Sequence, residues 1–129
     1  MKNIRFFFLF AVAAFAISCS DAQTTGSADY TVAQAKTAVE KGGITILDVR
    51  TPQEFAAGHI KGAVNIDWYQ SDFATKVASL DKTKPVLVYC AVGGRSSKAK
   101  TKLNALGFKE VHNMTGGMDA WNEAKYPVE

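Results

Sequence analysis

The chain reads as an α/β domain, a mostly parallel sheet with helices on both faces. Three observations predict it. Residues 44–49 and 85–89 are apolar almost throughout and rich in β-branched side chains, the pattern of strands buried on both sides. Helix-start signals stand between such segments, each followed by apolar residues at helical spacing. Strand and helix signals alternate along the chain, and strands joined through helices pair in parallel.

Each element has its own reason. Thr31-Val32-Ala33-Gln34 fits a capping box, with Thr31 at the N-cap and Gln34 at the third helical position. Val32, Ala35 and Val39 then share one face, and Gly42-Gly43 ends the helix. Residues 44–49 form the first strand. Thr51-Pro52-Gln53-Glu54 is a second capping box, its proline at the first helical position, where a missing N–H costs nothing. Gly58 stops that short helix, and residues 63–66 make a short strand. Phe73, Val77 and Leu80 lie on one face of a third helix. Residues 85–89 form the strand that delivers Cys90. Ala99, Leu103 and Leu106 face inward from a helix over residues 96–106, closed by Gly107. Residues 110–114 read as the last strand and 118–124 as a terminal helix.

The stretch Cys90-Ala91-Val92-Gly93-Gly94-Arg95-Ser96 carries the chemistry. A lone thiol stands in a tight, glycine-bearing turn between a strand end and a helix start. Such a turn aims backbone N–H groups and the positive end of a helix dipole at one sulfur. A thiol so placed ionises easily and holds an anionic adduct, which is the chemistry of a nucleophilic cysteine.

The N-terminus bears on location. Lys2 and Arg5 form a short basic region, and Phe6 to Ile17 is an unbroken apolar run. The run is shorter than the ~20 residues a membrane-spanning helix needs and has the length of a secretory h-region. A signal peptide over residues 1–18, and export to the periplasm or cell envelope, are expected. Ala16-Ile17-Ser18-Cys19 resembles the lipobox of bacterial lipoproteins, with Ala16 where Leu is commoner. That resemblance implies cleavage before Cys19 and lipidation of its sulfur, and so a lipid anchor to a membrane. An ordinary signal peptide cut after Ala22 is the alternative. Residues 19–28 then form a tether of small residues, and residues 29–129 the domain.

About one hundred residues remain for one core and one domain, read as a monomer. The chain has a net charge of +3, and Lys2 and Arg5 leave with the leader, so the rest is close to neutral. There is no basic block with interleaved aromatics, which argues against a nucleic-acid partner. The cysteines are Cys19 and Cys90. With Cys19 lipidated, Cys90 is unpaired, and an unpaired thiol in an exported protein is marked as reactive.

Four separated motifs, in order, carry a resemblance to a known family. They are Leu47-Asp48-Val49-Arg50-Thr51-Pro52-Gln53-Glu54-Phe55, then Gly58-His59-Ile60-Lys61-Gly62-Ala63-Val64-Asn65-Ile66, then Cys90 to Ser96, then Gly116-Gly117-Met118-Asp119-Ala120-Trp121. Together they resemble a single-domain rhodanese over residues of about 29 to 129. The resemblance implies a five-stranded, mostly parallel sheet. It also implies sulfurtransferase activity through a cysteine persulfide, with thiosulfate or a related sulfane-sulfur anion as donor and cyanide or a thiol as acceptor.

The residues suit that chemistry. Cys90 is the expected nucleophile of a two-stage covalent transfer that needs no cofactor. The N–H groups of Ala91, Val92, Gly93, Gly94 and Ser96 are placed to surround the transferred sulfur, as an oxyanion hole surrounds oxygen. Gly93 and Gly94 allow the φ values this requires. Arg95 brings a forked donor set suited to a thiosulfate or sulfite oxygen face, and Ser96 is placed to cap the helix or steady the loop. Cysteine phosphatases and arsenate reductases of similar fold have five residues between Cys and Arg. Cys90 and Arg95 enclose four, a smaller cradle better matched to sulfur than to phosphate, and Tyr89 stands where those phosphatases carry His.

The supporting residues have quieter roles. Asp48 ends a strand at the edge where α/β sites lie; orienting the loop is one role open to it, and a structural hydrogen bond or pair is the one expected. Arg50 and Glu54, four apart, are expected to pair with each other. His59 reads as a hydrogen-bonded structural residue, since an ionised thiol needs no strong base. His112 has no partners at metal spacing, and no metal is expected. Trp68 and Trp121 read as packing residues, with Trp68 or Tyr69 as candidates for the pocket mouth. Lys98, Lys100 and Lys102 read mostly as solvated, with one able to attract an anionic donor. Two readings stand beside the sulfurtransferase: a non-catalytic rhodanese-like binding or sensing module, and an envelope thiol-redox partner. The intact Cys90 loop argues against the first, and the absence of a resolving cysteine against the second.

Overall fold

The computed structural model describes residues 27–129. The predicted signal peptide, Cys19 and most of the predicted tether lie outside the described residues. Both capping boxes form as read. In α1 (Val32–Lys41) the Gln34 N–H donates to Thr31 Oγ1 while the Thr31 N–H donates to Gln34 Oε1. In α2 (Pro52–Ala56) Thr51 and Glu54 exchange the same two bonds, with Pro52 at the first position. Each box satisfies two N–H groups that a helix start leaves without partners.

The strands are β1 (Thr45–Asp48), β2 (Val64–Asn65), β3 (Val86–Tyr89) and β4 (Val111–Asn113), in sheet order β2-β1-β3-β4, and every pairing is parallel. The register sets Asp48 opposite Tyr89 and Val88 opposite Asn113. Among the described residues the sheet thus has four strands rather than the five the family resemblance implies. A single bridge stands where a fifth would lie: the Tyr30 N–H donates to the Asn113 carbonyl at 2.9 Å, and the Thr115 N–H to the Tyr30 carbonyl at 2.9 Å. The reason is local. The Thr31 capping box starts a helix directly after Tyr30, and before Tyr30 the Asp29 carboxylate, not its backbone, accepts the Asn113 N–H.

Side chains of β1 and β3 alternate between two buried faces, which explains why both strands are apolar throughout. One face joins Leu47, Val49, Val88 and Cys90 to α3 (Phe73–Val77) and to Ala99 and Leu103 of α4 (Gly94–Ala105). The other joins Ile46, Leu87 and Tyr89 to Ala35 of α1 and to Met118 and Trp121 of α5 (Gly117–Glu123). Trp121 packs there as read, its Nε1–H donating to the Pro127 carbonyl at 2.9 Å, and Trp68 meets Phe73 edge to face.

This order places the site. From β1 the chain passes outward to β2, then crosses back to β3 and on to β4. The strand order therefore reverses between β1 and β3, and ligands of open α/β sheets sit beyond the carboxyl ends of the strands at that point. Asp48 and Tyr89 end those two strands, and Cys90 follows Tyr89 directly.

Candidate active site

Cys90 is buried at the floor of the turn, and its side chain keeps to the face set by Val86 and Val88. Gly93 adopts φ +114°, a value that favours glycine, and this reversal turns its own N–H back onto the Cys90 sulfur at 3.0 Å. The reversal also lets α4 begin at Gly94, two residues before the expected start. The Ser96 hydroxyl lies 3.3 Å from the sulfur and 3.2 Å from the Gly93 carbonyl. Its single proton goes to the more negative acceptor, which is the sulfur once Cys90 is ionised.

Burial alone would raise the thiol's pKa. The Ser96 hydroxyl and the N–H groups of Ser96, Gly93 and Val92 outweigh it, and together they hold the Cys90 thiol below its ordinary value. Ser96 therefore does steady the loop, and it does so through the nucleophile itself. The Ala91 carbonyl serves the far side of the loop, accepting the Asp119 N–H at 3.0 Å.

Arg95 does not stand free. Its Nη1 donates to Glu54 Oε1 at 2.7 Å and its Nη2 to Glu54 Oε2 at 3.0 Å, and the Tyr69 ring centroid lies 5.5 Å from the guanidinium carbon. Arg95 holds the Glu54 carboxyl down to about 2, and Glu54 in turn raises Arg95. The expected Arg50–Glu54 pair is not formed. Arg50 precedes the N-cap of α2, so the chain there is extended and the four-residue spacing does not bring side chains together. Arg50 turns instead to buried Asp48, with Nε and Nη2 donating to its carboxylate at 3.0 and 2.7 Å, and Nη2 donating also to the Gly58 carbonyl at 2.7 Å.

Asp48 is thus the centre of a buried support below the loop. Asn65 Nδ2 donates to the Asp48 and Arg50 carbonyls. The Tyr89 phenol accepts the Ile60 N–H at 3.1 Å and stays neutral, its pKa raised first by burial and then by the Asp48 charge. His59 is structural, as read. Its ring stacks on Phe55 at 3.6 Å, its Nδ1–H donates to the Phe55 carbonyl at 2.9 Å, and its backbone pairs with Glu129.

Sequence reasoning missed two contributors. Glu54 is bound to Arg95 across 41 positions, a distance that no local spacing signals. Gly117, φ +59°, lets the start of α5 press on the loop: the Met118 N–H donates to the Cys90 carbonyl at 2.8 Å, and a Cβ at Gly117 would meet the Cys90 and Ala91 carbonyl oxygens at 2.5 Å. The glycine doublet before a helix was the available signal. Lys100 is not simply solvated, since it pairs with Asp29 at 2.6 Å and donates to the Ser27 carbonyl. His112 likewise clasps the domain's start, between Glu110 and the Ala28 carbonyl.

The site is a lone thiol in a glycine turn at the switch point of a parallel α/β sheet. The chain belongs to the family described as the Rhodanese-like domain, which matches residues 31–124. It is 40% identical over 91 residues to the thiosulfate sulfurtransferase GlpE of Pseudomonas putida, covering 70% of this chain and 79% of that protein. It is 39% identical over 109 residues to thiosulfate sulfurtransferase 18 of Arabidopsis thaliana, covering 75% and 79%. The fold is similar to the crystal structure of a rhodanese-related protein from Thermoplasma volcanium, at TM-score 0.71 and 33% identity over 78% of this chain and 96% of that one. The solution structure of a rhodanese-like domain from Anabaena sp. has TM-score 0.71 and 31% identity over 78% of this chain and 77% of that one.

Proposed function

We propose that the protein is a sulfurtransferase that carries a sulfane sulfur on Cys90, taking it from a thiosulfate-type anion and passing it to cyanide or a thiol. One observation supports this above the others: the Gly93 N–H at 3.0 Å and the Ser96 hydroxyl at 3.3 Å converge on one buried sulfur, and together with the Ser96 and Val92 N–H groups they favour its ionised form. That arrangement supplies a thiolate for attack and a donor cage for the persulfide that follows.

In the first stage the Cys90 thiolate attacks the outer sulfur of thiosulfate, a new sulfur–sulfur bond forms, and sulfite leaves with the old bonding pair. The terminal persulfide anion takes up the N–H donors. In the second stage an acceptor nucleophile attacks that terminal sulfur and Cys90 returns as thiolate. Ping-pong kinetics follow. The Asp48–Arg50–Gly58 support keeps the ends of β1 and β3 fixed while the sulfur is loaded and lost. We further propose that residues 1–18 direct export, and that Cys19 takes the lipid that anchors the domain at the cell envelope. The lipobox-like Ala16-Ile17-Ser18-Cys19 supports this part.

Intact-mass measurement of the full chain in detergent tests the reading. Thiosulfate is expected to add one sulfur, mapped to Cys90, and an acceptor thiol to remove it. Cys90→Ser is expected to fold and to gain nothing. A folded protein with a free thiol that no sulfane donor loads would point to the binding-module reading, and mixed disulfides in place of a persulfide to the redox one.

A further inference from the structure

Thiosulfate and a hydropersulfide present the same atom to Cys90, a terminal sulfur. They differ in what remains at the mouth of the loop, three anionic oxygens in one case and a carbon substituent in the other. The choice between them therefore rests with the residues lining the mouth, not with the N–H cage beneath.

The cation that flanks this loop is occupied. Glu54 takes one N–H from each terminal nitrogen of Arg95, at 2.7 and 3.0 Å, and Tyr69 lies against the guanidinium. Glu54 is itself fixed by Thr51, whose N–H and hydroxyl donate to Oε1 at 3.3 and 3.1 Å. The carboxylate offsets the arginine charge beside the loop. Two exposed side chains there are apolar or aromatic, Val92 and Tyr69, each 67% exposed. The groups facing the sulfur itself, the Ser96 hydroxyl and three backbone N–H groups, carry no net charge. A site of this kind holds an anionic sulfur inside and favours a neutral carbon group outside, because Glu54 already takes the charge of the arginine that flanks the loop.

We propose that Glu54 is a specificity-determining positioning residue which, by neutralising Arg95, tunes the Cys90 site to hydropersulfides of neutral thiols, R–S–SH, over thiosulfate. The proposal rests on the sulfurtransferase reading above. Cys90 thiolate attacks the outer sulfur of R–S–SH, the Cys90 sulfur–sulfur bond forms, and the R–S bond to that sulfur breaks. The displaced thiolate takes the donor's proton to give R–SH, leaving the Cys90 persulfide as anion, so one negative charge stands on each side. No oxidant or reductant is needed.

The test compares kcat/KM for thiosulfate and for 2-hydroxyethyl hydropersulfide generated in situ, with one acceptor thiol and the full chain in detergent. Glu54→Gln is expected to raise the thiosulfate value about tenfold, to leave the hydropersulfide value within about twofold, and to lose most of that gain at high salt. Glu54→Asp, which keeps the charge, is expected to retain the wild-type ratio. Val92→Lys, at an exposed position that should not disturb folding, adds a cation to the mouth and is expected to shift the ratio the same way as Glu54→Gln. Equal effects on both donors, or a fall in thiosulfate use with Glu54→Gln, would overturn the proposal. If Glu54→Gln does not fold, an unchanged ratio in Val92→Lys overturns it alone. Failure of both donors to load wild-type Cys90 would remove the sulfurtransferase reading, and this proposal with it.

Discussion

Gly117→Ala is expected to be the most damaging single-methyl change in the domain. At φ +59° an alanine pays about 1–2 kcal/mol for the left-handed backbone. Its Cβ would also lie 2.5 Å from the Cys90 and Ala91 carbonyl oxygens and 2.6 Å from the Ala91 carbonyl carbon, all rigid backbone. Helix α5 must therefore withdraw and stretch the bonds from the Met118 and Asp119 N–H groups, now 2.8 and 3.0 Å. At about 1 kcal/mol for each bond, the loss reaches ~3–4 kcal/mol. For a domain of this size each kcal/mol moves the midpoint by about 4–8 °C, so thermal unfolding should fall by about 12 °C or more. Gly62→Ala is the control. Its φ of +82° is equally left-handed, but nothing lies within 4 Å of its added Cβ, so it carries only the backbone cost of about 1–2 kcal/mol. Circular dichroism melts of both variants decide the matter. Equal midpoints for the two would refute the claim that α5 is pressed onto the active-site loop.

Three other outcomes follow from the site. Ser96→Ala removes the hydroxyl that most favours the ionised Cys90, so the pH midpoint of Cys90 alkylation should rise toward the ordinary thiol value of 9.0, and an unchanged midpoint would show that the backbone N–H groups suffice. Glu54 titrates near 2 in the fold against 4.5 ordinarily, so the Arg95 pair adds stability above about pH 4.5 and loses it as pH falls toward 2. The stability gap between wild type and Glu54→Gln in denaturant titrations should accordingly shrink over that interval, and a constant gap would contradict the pairing. Asp48→Asn leaves Arg50 buried without its counter-charge and should cost about 3 kcal/mol in urea unfolding. A cost below about 1 kcal/mol would show that the Gly58 carbonyl alone satisfies the guanidinium.

Much of the fold was legible because its signals are local. Thr31–Gln34 and Thr51–Glu54 close their capping boxes within three residues, so composition and spacing suffice to predict them. The apolar stretches at 44–49 and 85–89 became the two central strands, since only a strand covered on both faces tolerates so little polarity. Boundaries fared less well. Gly93 in the left-handed region lets α4 start at Gly94, and Thr31 cuts the fifth strand to one bridge. At the site, the Cys90 turn, Ser96 and structural His59 were readable from their own neighbours. The charge partners were not. Arg50 and Glu54 stand at helical spacing, yet one lies before the helix and turns back to Asp48 while the other reaches Arg95.

The position of the nucleophile, between a buried strand and a glycine turn, follows from the order of residues along the chain, because backbone conformation and N–H direction are set by residues within a few positions. Its surroundings follow from the folded arrangement: which carboxylate holds Arg95, which helix start presses on the loop, and which buried pair supports its base. Those contacts join residues brought together by the reversal of strand order between β1 and β3, and electrostatic pairing depends on distance in space, which spacing along the chain does not record.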